Sequence, residues 1–339
     1  MTAGEAAPVA LDAFGADGGP ELVLEGARLA AADGIAIRIF GPPAELPDPP
    51  SGVEVIASEE WITNDDDPVA AVRGKPSASV VMASADAAAG NSGAVVSAGS
   101  TGATMTAALF ALKRIQGVRR PALAAQVPLP DGDKTVLFLD VGANVEVRPQ
   151  DLIQFAFLGA SFSEAVLDRP NPRVALLSVG EESKKGTPDV AAAHDALSGE
   201  EGLEFVGNVE GTELLSGAAD VVVTDGFTGN VALKLMEGTA RAVVGGVRSA
   251  ARSNPLAALG GLMLRPALGG LRERMDPNAT GGAILLGLRG VAVVAHGGSS
   301  PEGIANAIRL ADRSIRERAS ERTAERLVAA GATRGSLDA

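Results

Sequence analysis

The chain contains no cysteine and no tyrosine, and its 339 residues include only one tryptophan and two histidines. Without cysteine it can form no disulfide, no zinc site built on thiolates and no thioester on its own side chains. The net charge of −13 and the scarcity of aromatic rings argue against nucleic acid, which rewards basic faces and stacking. The first basic residue is Arg28 and no uncharged apolar run reaches the length of a membrane span, so we expect a cytoplasmic protein.

Short runs of valine, isoleucine and leucine alternate with longer stretches of helical period. This alternation is typical of an α/β fold in which a mostly parallel sheet is sandwiched by helices, and we assign residues 1–339 to a single α/β/α domain. We expect strands at 9–11, 36–40, 53–56, 94–97, 135–141, 173–178, 221–224 and 291–295. We expect helices at 21–32, 103–115, 149–167, 188–197, 232–252 and 301–318, the last capped by Ser300, and a frayed helical tail at 319–339.

Three of these strands run into loops of glycine and small polar residues. The loops are 95–102 (VVSAGSTG), 140–144 (DVGAN) and 225–230 (DGFTGN). Glycine lets the backbone approach an anion closely, and successive N–H groups in such turns can converge on phosphate oxygens. Because the carboxyl ends of parallel strands meet at one edge of a sheet, the loops predict one phosphate-binding cleft.

Metal and dinucleotide sites are weakly supported. Asp12, Asp17 and Asp140 stand in separate loops, which argues against a shared metal. The chain has no G-x-G-x-x-G after a strand, and Gly74-Lys75 is followed by proline rather than by the hydroxyl of a Walker loop.

Four polar residues in the loops have both a functional and a structural interpretation. Lys185 lies with Lys184 in a loop flanked by glycines. It could bind a dianion, or it could be an ordinary exposed loop residue. Asn230 precedes an apolar helix, so it could be the N-cap of that helix as well as an amide in the active site. Asp225 could bind a ligand or could stabilise a turn by accepting from nearby N–H groups. His296 opens HGGSS after an apolar strand, whereas His194 lies in a predicted surface helix, so we expect any imidazole chemistry at His296.

Over about residues 9–318 the chain resembles the bacterial phosphate acyltransferases, which make acyl phosphate from acyl-carrier protein and inorganic phosphate for phospholipid synthesis. The matching segments are 11–17 (LDAFGAD), 97–103, 140–144, 180–186 (GEESKKG), 207–211 (GNVEG), 225–234, 281–283 and 296–300. Ala16 departs from the usual glycine and Ser100 from the usual asparagine of the family. The resemblance implies a Rossmann-like sheet shared with phosphotransacetylases and isopropylmalate dehydrogenases, no cofactor, no required metal, and a homodimer.

The resemblance also implies roles for particular residues. We expect Lys185 to neutralise charge, Asn230 to contact the oxyanion or carbonyl, and His296 to donate a hydrogen bond or move a proton. Residues expected to bind phosphate or substrate are Asp12, Gly15, Ser97, Gly99, Ser100, Thr101, Gly102, Asp140, Asn144 and Asp225.

Two basic segments interrupt this acidic sequence. No acid occurs in residues 91–130, which contain Lys113, Arg114, Arg119 and Arg120, and six arginines in 241–274 face only Glu273. An acidic carrier protein would need a basic patch of this kind to bind an acidic enzyme, although a solvated helix face explains either segment equally well.

We predict that 232–275 forms a protruding helical hairpin. Its apolar tip, with Leu256, Leu259 and Leu262, would contact an anionic membrane peripherally, and a hairpin that packs in a dimer is the alternative.

Three other functions remain as alternatives. A phosphotransacetylase-like enzyme using coenzyme A shares the same chemical logic, and a non-catalytic membrane scaffold could use the same fold. A decarboxylating dehydrogenase of related topology is disfavoured because the dinucleotide loop and the metal carboxylates are missing.

Overall fold

A computed structural model describes residues 7–130, 134–254, 257, 260, 263 and 277–337. These residues form one 11-stranded sheet with helices on both faces, which confirms the predicted fold class. The strands are β1 Val9–Asp12, β2 Ile37–Gly41, β3 Val53–Ala57, β4 Ala94–Ser97, β5 Ala122–Pro128, β6 Thr135–Leu139, β7 Arg173–Leu177, β8 Glu204–Val209, β9 Val221–Val223, β10 Ala283–Leu286 and β11 Val291–Val294. The α-helices are α1 Gly19–Ala32, α2 Pro68–Gly74, α3 Ser79–Ala88, α4 Thr101–Leu112, α5 Pro149–Val166, α6 Pro188–Leu197, α7 Gly226–Ala251, α8 Pro301–Arg316, α9 Ala319–Ala329 and α10 Arg334–Leu337. Short 3₁₀ turns lie at Pro43–Glu45 and Pro277–Thr280.

The direction of the strands reverses in the middle of the sheet. The order is β3-β2-β1-β4-β11-β10-β5-β6-β9-β7-β8, and β10 and β5 pair antiparallel with their neighbours while the outer strands pair parallel. The carboxyl ends of β1, β4 and β11 therefore lie at one edge of the sheet, and those of β6, β9 and β7 at the opposite edge. The expectation that all the glycine loops meet at one edge is wrong for this reason.

The two faces of the sheet are covered by different helices. On one face α1, α5 and α8 pack against the strands through Leu24, Phe155 and Ile304, and α9 packs on α5 with Leu327 in the same hydrophobic cluster. On the other face α3, α4 and the start of α7 pack through Ala83, Ala108 and Leu233. Almost every residue of α5 is buried, so this helix is the centre of the first face.

Five elements of the fold were not expected from the sequence. β5 is rich in alanine, which has no strand preference, and β10 has only four residues. β8 contains Glu204, Gly207 and Asn208 among its six residues, and α2 and α3 are short. Residues 319–329 of the expected helical tail form α9. Leu327 is 1% exposed within the first-face core, and the hydroxyls of Ser161 in α5 and Thr323 in α9 are 3.1 Å apart, so α9 is held by burial that polar composition conceals.

The first arm of the predicted hairpin is α7, which protrudes from the domain. Only Gly226 and Gly229 of its 26 residues are buried, and Val243 is 58% exposed. Leu256, Leu259 and Leu262 lie outside the described residues, as does most of the expected second arm. Among the described residues, no helix is long and apolar enough to cross a membrane.

Candidate functional site

A cavity of about 480 Å³ lies between α4 and α7, over the reversed strands β10 and β5. It receives loops from both halves of the sheet because it lies on a face rather than at an edge. Its polar lining includes Thr101, Gln126, Asn230, Lys234, Glu237, His296 and Ser299. Its apolar lining includes Met105, Leu123, Val127, Val141, Leu215, Leu233, Met236 and Val294. The cavity thus combines a few polar groups with a long apolar wall.

The amino end of α4 faces this cavity. Ser100 stands at the N-cap position, but its hydroxyl makes no capping hydrogen bond, and the first intrahelical donor is the N–H of Thr104, bonded to the Ser100 carbonyl at 2.9 Å. The N–H groups that precede Thr104 have no intrahelical acceptor, and the helix dipole favours an anion beside them. Thr101 and Gly102 line the cavity at this point. The arrangement fits a phosphate group.

His296 follows β11 and lines the same cavity as Thr101 and Gly102. The backbone N–H of Gly298 donates to His296 Nδ1 at 3.1 Å, so in the neutral ring the proton is on Nε2. The neighbouring Ser299 is buried against the cavity, and Ser300 caps α8 by accepting from the N–H of Gly303, as predicted. The imidazole is therefore held with Nδ1 occupied as an acceptor and Nε2–H available as a hydrogen-bond donor.

Asn230 lies in the second turn of α7 and lines the cavity. The helix begins six residues earlier than expected, and Asp225 is its N-cap, accepting from the N–H of Thr228 at 2.8 Å. The structure therefore assigns the cap to Asp225 rather than to Asn230, and the Asn230 amide is left for another role. A Cβ on Gly142 would lie 3.8 Å from the Asn230 side chain, so the two residues are neighbours.

The loop after β6 is held by its own aspartate. Asp140 Oδ1 accepts from the N–H groups of Leu123, Gly142 and Ala143, and Oδ2 accepts from the backbone and side-chain nitrogens of Asn144. Burial raises the pKa of Asp140 in spite of these donors. The Asn144 amide also donates to the Pro121 carbonyl at 2.7 Å. Both side chains are engaged within the protein, which points to shaping of the loop rather than direct contact with phosphate.

Asp12 holds the loop after β4 in a similar way. Ser79 and Ser97 donate their hydroxyl protons to the two Asp12 oxygens at 2.5 and 2.7 Å, and Ser97 Oγ accepts from the N–H of Gly99 at 3.0 Å. Burial raises the pKa of Asp12 to about 6, although the hydrogen bonds lower it. A Cβ on Gly15 would lie 2.2 Å from the Gly99 Cα, so this glycine is needed where the two loops touch.

Asp12→Asn tests this interpretation through the pH dependence of stability. A carboxyl whose pKa rises from 3.8 in the unfolded chain to about 6 in the folded protein favours folding below pH 3.8, and that contribution disappears as the pH rises through 6. At about 1.36 kcal/mol per pKa unit, the wild-type advantage over Asp12→Asn should shrink by about 3 kcal/mol across this window. Urea unfolding at pH 4 and pH 7.5 measures the difference. Parallel pH profiles for the two proteins would contradict it.

Lys185 does not line the cavity. It lies in the loop after β7, at the sheet edge shared with the ends of β6 and β9, where its Cγ is 3.0 Å from the position of a Cβ on Gly180. Its role stays a prediction. No cluster of three or more metal-ligating side chains occurs in the described part of the chain.

Two charged residues of the cavity, Lys234 and Glu237, were not expected from the sequence. Lys234 lines the cavity with Asn230. A spacing of four and then three residues puts Asn230, Lys234 and Glu237 on one face of α7, and this periodicity is the signal that could have identified them.

Comparison with known proteins adds relatives and structures of similar fold. The family model described as Fatty acid synthesis protein matches residues 7–322. A protein of Heliobacterium modesticaldum named phosphate acyltransferase is 42% identical over 318 residues, covering 91% of this chain and 94% of its own. A phosphotransacetylase from Streptococcus pyogenes superposes with a TM-score of 0.60 at 19% identity, covering 92% of this chain and 94% of its own. A 4-hydroxythreonine-4-phosphate dehydrogenase from Klebsiella pneumoniae gives 0.51 at 16% identity, with 90% and 98% covered. The two structures share the fold.

Proposed function

Since this chain belongs to the phosphate acyltransferases of the fatty acid synthesis protein family, and so is an acyltransferase, we propose that it transfers long acyl chains from acyl-carrier protein to inorganic phosphate. The products are acyl phosphate and free carrier protein. The acyl phosphate feeds the synthesis of phosphatidic acid and other phospholipids.

The observation that carries this proposal is the two-part lining of the cavity. The amino end of α4, with Thr101, His296 and Ser299, offers hydrogen bonds to a dianion. Met105, Leu233 and Met236 offer an apolar wall of the kind that an acyl chain requires. Phosphate and a thioester can therefore meet in one cavity.

The reaction needs little from the protein beyond positioning and charge stabilisation. An oxygen of hydrogen phosphate attacks the thioester carbon, the C–O bond forms, and the tetrahedral oxyanion collapses with cleavage of the C–S bond. The departing thiolate takes up the proton that the phosphate brought, so that atoms and charges balance. No cysteine nucleophile is required, in agreement with a chain that has none.

Roles for individual residues follow from this chemistry. Thr101 and Gly102 hold phosphate at the amino end of α4, and Asn230 donates its amide N–H to the oxyanion. The Nε2–H of His296 donates a hydrogen bond to phosphate or to the departing thiolate. Lys185 neutralises the charge of phosphate, as its match to the family motif implies. Asp12, Asp140 and Asn144 act by shaping the loops that carry the other groups.

The direct test measures free thiol released from long-chain acyl-carrier protein. We expect release only when phosphate is present, with no need for nicotinamide, ATP or added divalent metal. Formation of acyl phosphate, trapped with hydroxylamine, identifies the product. Thiol release that ignores phosphate, or that stops when metal is chelated, would contradict the proposal.

The same assay separates the two alternatives that remain. An enzyme of the phosphotransacetylase kind would prefer acyl-coenzyme A to the carrier-protein thioester, and the fold that this chain shares with the Streptococcus pyogenes protein keeps this candidate relevant. A non-catalytic scaffold would turn over neither substrate.

Peripheral binding of a homodimer to the membrane is part of the proposal. Arg241, Arg248 and Arg252 of α7 lie among the exposed side chains of Val243 and Val247, a combination suited to an anionic lipid surface. Leu259→Glu and Leu262→Glu should reduce sedimentation of the protein with anionic vesicles. Wild-type sedimentation by variants that are folded and active would favour the dimer-packing hairpin.

A further inference from the structure

A second basic surface lies at the far end of α4 from the proposed phosphate site. Lys113, Arg114, Arg120 and Arg289 are all exposed there, and we refer to these four residues as the basic edge. The N–H of Arg289 donates to the Lys113 carbonyl at 3.0 Å, and Arg289 Nε donates to the Arg114 carbonyl at 3.1 Å. Folding therefore adds Arg289 to a cluster whose other members are close in sequence.

Acidic groups do little to offset this charge. Residues 91–130 contain no acid. Asp151 is 1% exposed and is shared by two arginines, Arg119 with its Nε at 2.9 Å and Arg120 with its Nε at 3.8 Å, so one buried acid faces two cations. Glu146 is the exposed acid on the adjoining loop. The basic edge is thus a local positive surface on a protein whose net charge is −13.

A short series of contacts joins the basic edge to the cavity. Arg120 precedes Pro121, whose carbonyl accepts from the Asn144 amide at 2.7 Å. The loop that ends at Asn144 contains Gly142, the neighbour of Asn230, and Leu123 lines the cavity wall two residues beyond Pro121. A molecule docked on the basic edge would be close to the Asn230 end of the cavity.

The two basic surfaces differ in their apolar content. Of the large apolar side chains that are strongly exposed in the described part of the chain, α7 carries Phe227, Val231, Leu235, Val243 and Val247. Only Val145 belongs to the segments around the basic edge. Insertion into lipid requires apolar side chains as well as charge, whereas charge alone is enough to steer an acidic protein.

We propose that the basic edge is the docking surface for the acidic carrier protein, whose acyl thioester enters the cavity at its Asn230 end. This inference rests on the proposed function and adds the place of the partner. Arginine and lysine side chains at an exposed surface such as the basic edge mainly raise the rate of association with an acidic partner, and this effect falls as the ionic strength rises.

The test compares two double variants with the same change in net charge. Lys113→Glu/Arg114→Glu reverses the basic edge, and the control Lys134→Glu/Arg318→Glu reverses two exposed residues elsewhere. At low salt we expect the first variant to raise KM for acyl-carrier protein by about tenfold or more with kcat unchanged, and the control to stay within about twofold. Both should retain wild-type rates with acyl-pantetheine, which has no carrier protein.

Binding of labelled carrier protein, followed by fluorescence anisotropy, gives a readout independent of turnover. If Lys113→Glu/Arg114→Glu does not fold, the neutral variant Lys113→Gln/Arg289→Gln takes its place. Unchanged carrier affinity in a folded variant would overturn the docking surface, as would a larger loss from Arg248→Glu/Arg252→Glu on α7. Absence of phosphate-dependent turnover of either thioester by the wild type would instead overturn the proposed function.

Discussion

Gly229→Ala should destabilise the protein by about 3 kcal/mol or more, at the upper end of what overpacking costs. A Cβ on Gly229 would lie 1.9 Å from the Asp140 carbonyl oxygen and 3.0 Å from Thr224 Cγ2. Backbone cannot yield as a flexible side chain does, so the first turn of α7 would have to separate from the loop after β6. Urea unfolding measures the free-energy difference.

The same helix supplies the matched control. Gly245 is exposed in the middle of α7, and a Cβ there would meet nothing within 4 Å. Gly245→Ala should therefore be neutral or stabilising by up to about 1 kcal/mol, since alanine is the better helix former. Equal effects of the two substitutions would show that the contact with Asp140 does not limit stability.

Asn230→Ala should lower kcat by more than about tenfold, the loss expected when a preorganised donor to a developing oxyanion is removed. Stability should change little, because Asp225 rather than Asn230 caps α7. Steady-state kinetics with acyl-carrier protein and phosphate, together with thermal unfolding, separate the two effects. A variant with wild-type turnover would remove Asn230 from the reaction.

Two further variants sharpen this result. Asp225→Ala removes the cap and should cost about 1 kcal/mol of stability. Lys185→Ala should also lower turnover more than about tenfold if this lysine reaches phosphate during the reaction. Wild-type activity in Lys185→Ala would withdraw the role of that residue without affecting Asn230.

The class of fold was predictable because buried strands and amphipathic helices leave regular patterns. All eight expected strands and five of the six expected helices lie within three residues of their observed bounds, and the strand Ala94–Ser97 and the helix Pro188–Leu197 match at both ends. The reversal at β5 and β10 could not, because β5 is largely alanine and pairing direction depends on contacts between residues far apart in sequence.

The candidate site was predictable in part. Glycine loops identified Thr101, Gly102, Asn230 and His296, which the cavity brings together. The roles of Asp12, Asp140 and Asn144 could not be predicted. The sequence does not show whether such a side chain is buried and holds a loop through its hydrogen bonds or faces solvent and a ligand. The apolar wall was missed because Met105 and Met236 look like ordinary core residues in a helical pattern.

The burial pattern of α7 has a mechanical consequence. Its buried residues, Gly226 and Gly229, lie within the first turn, while the remainder of its 26 residues is half-buried or exposed. A helix of this length extends about 39 Å from end to end. Leu233 and Met236, in the turns that follow, pack against the second face of the sheet and also line the cavity. A displacement of the outer part of α7 at Arg248 would therefore move one wall of the cavity.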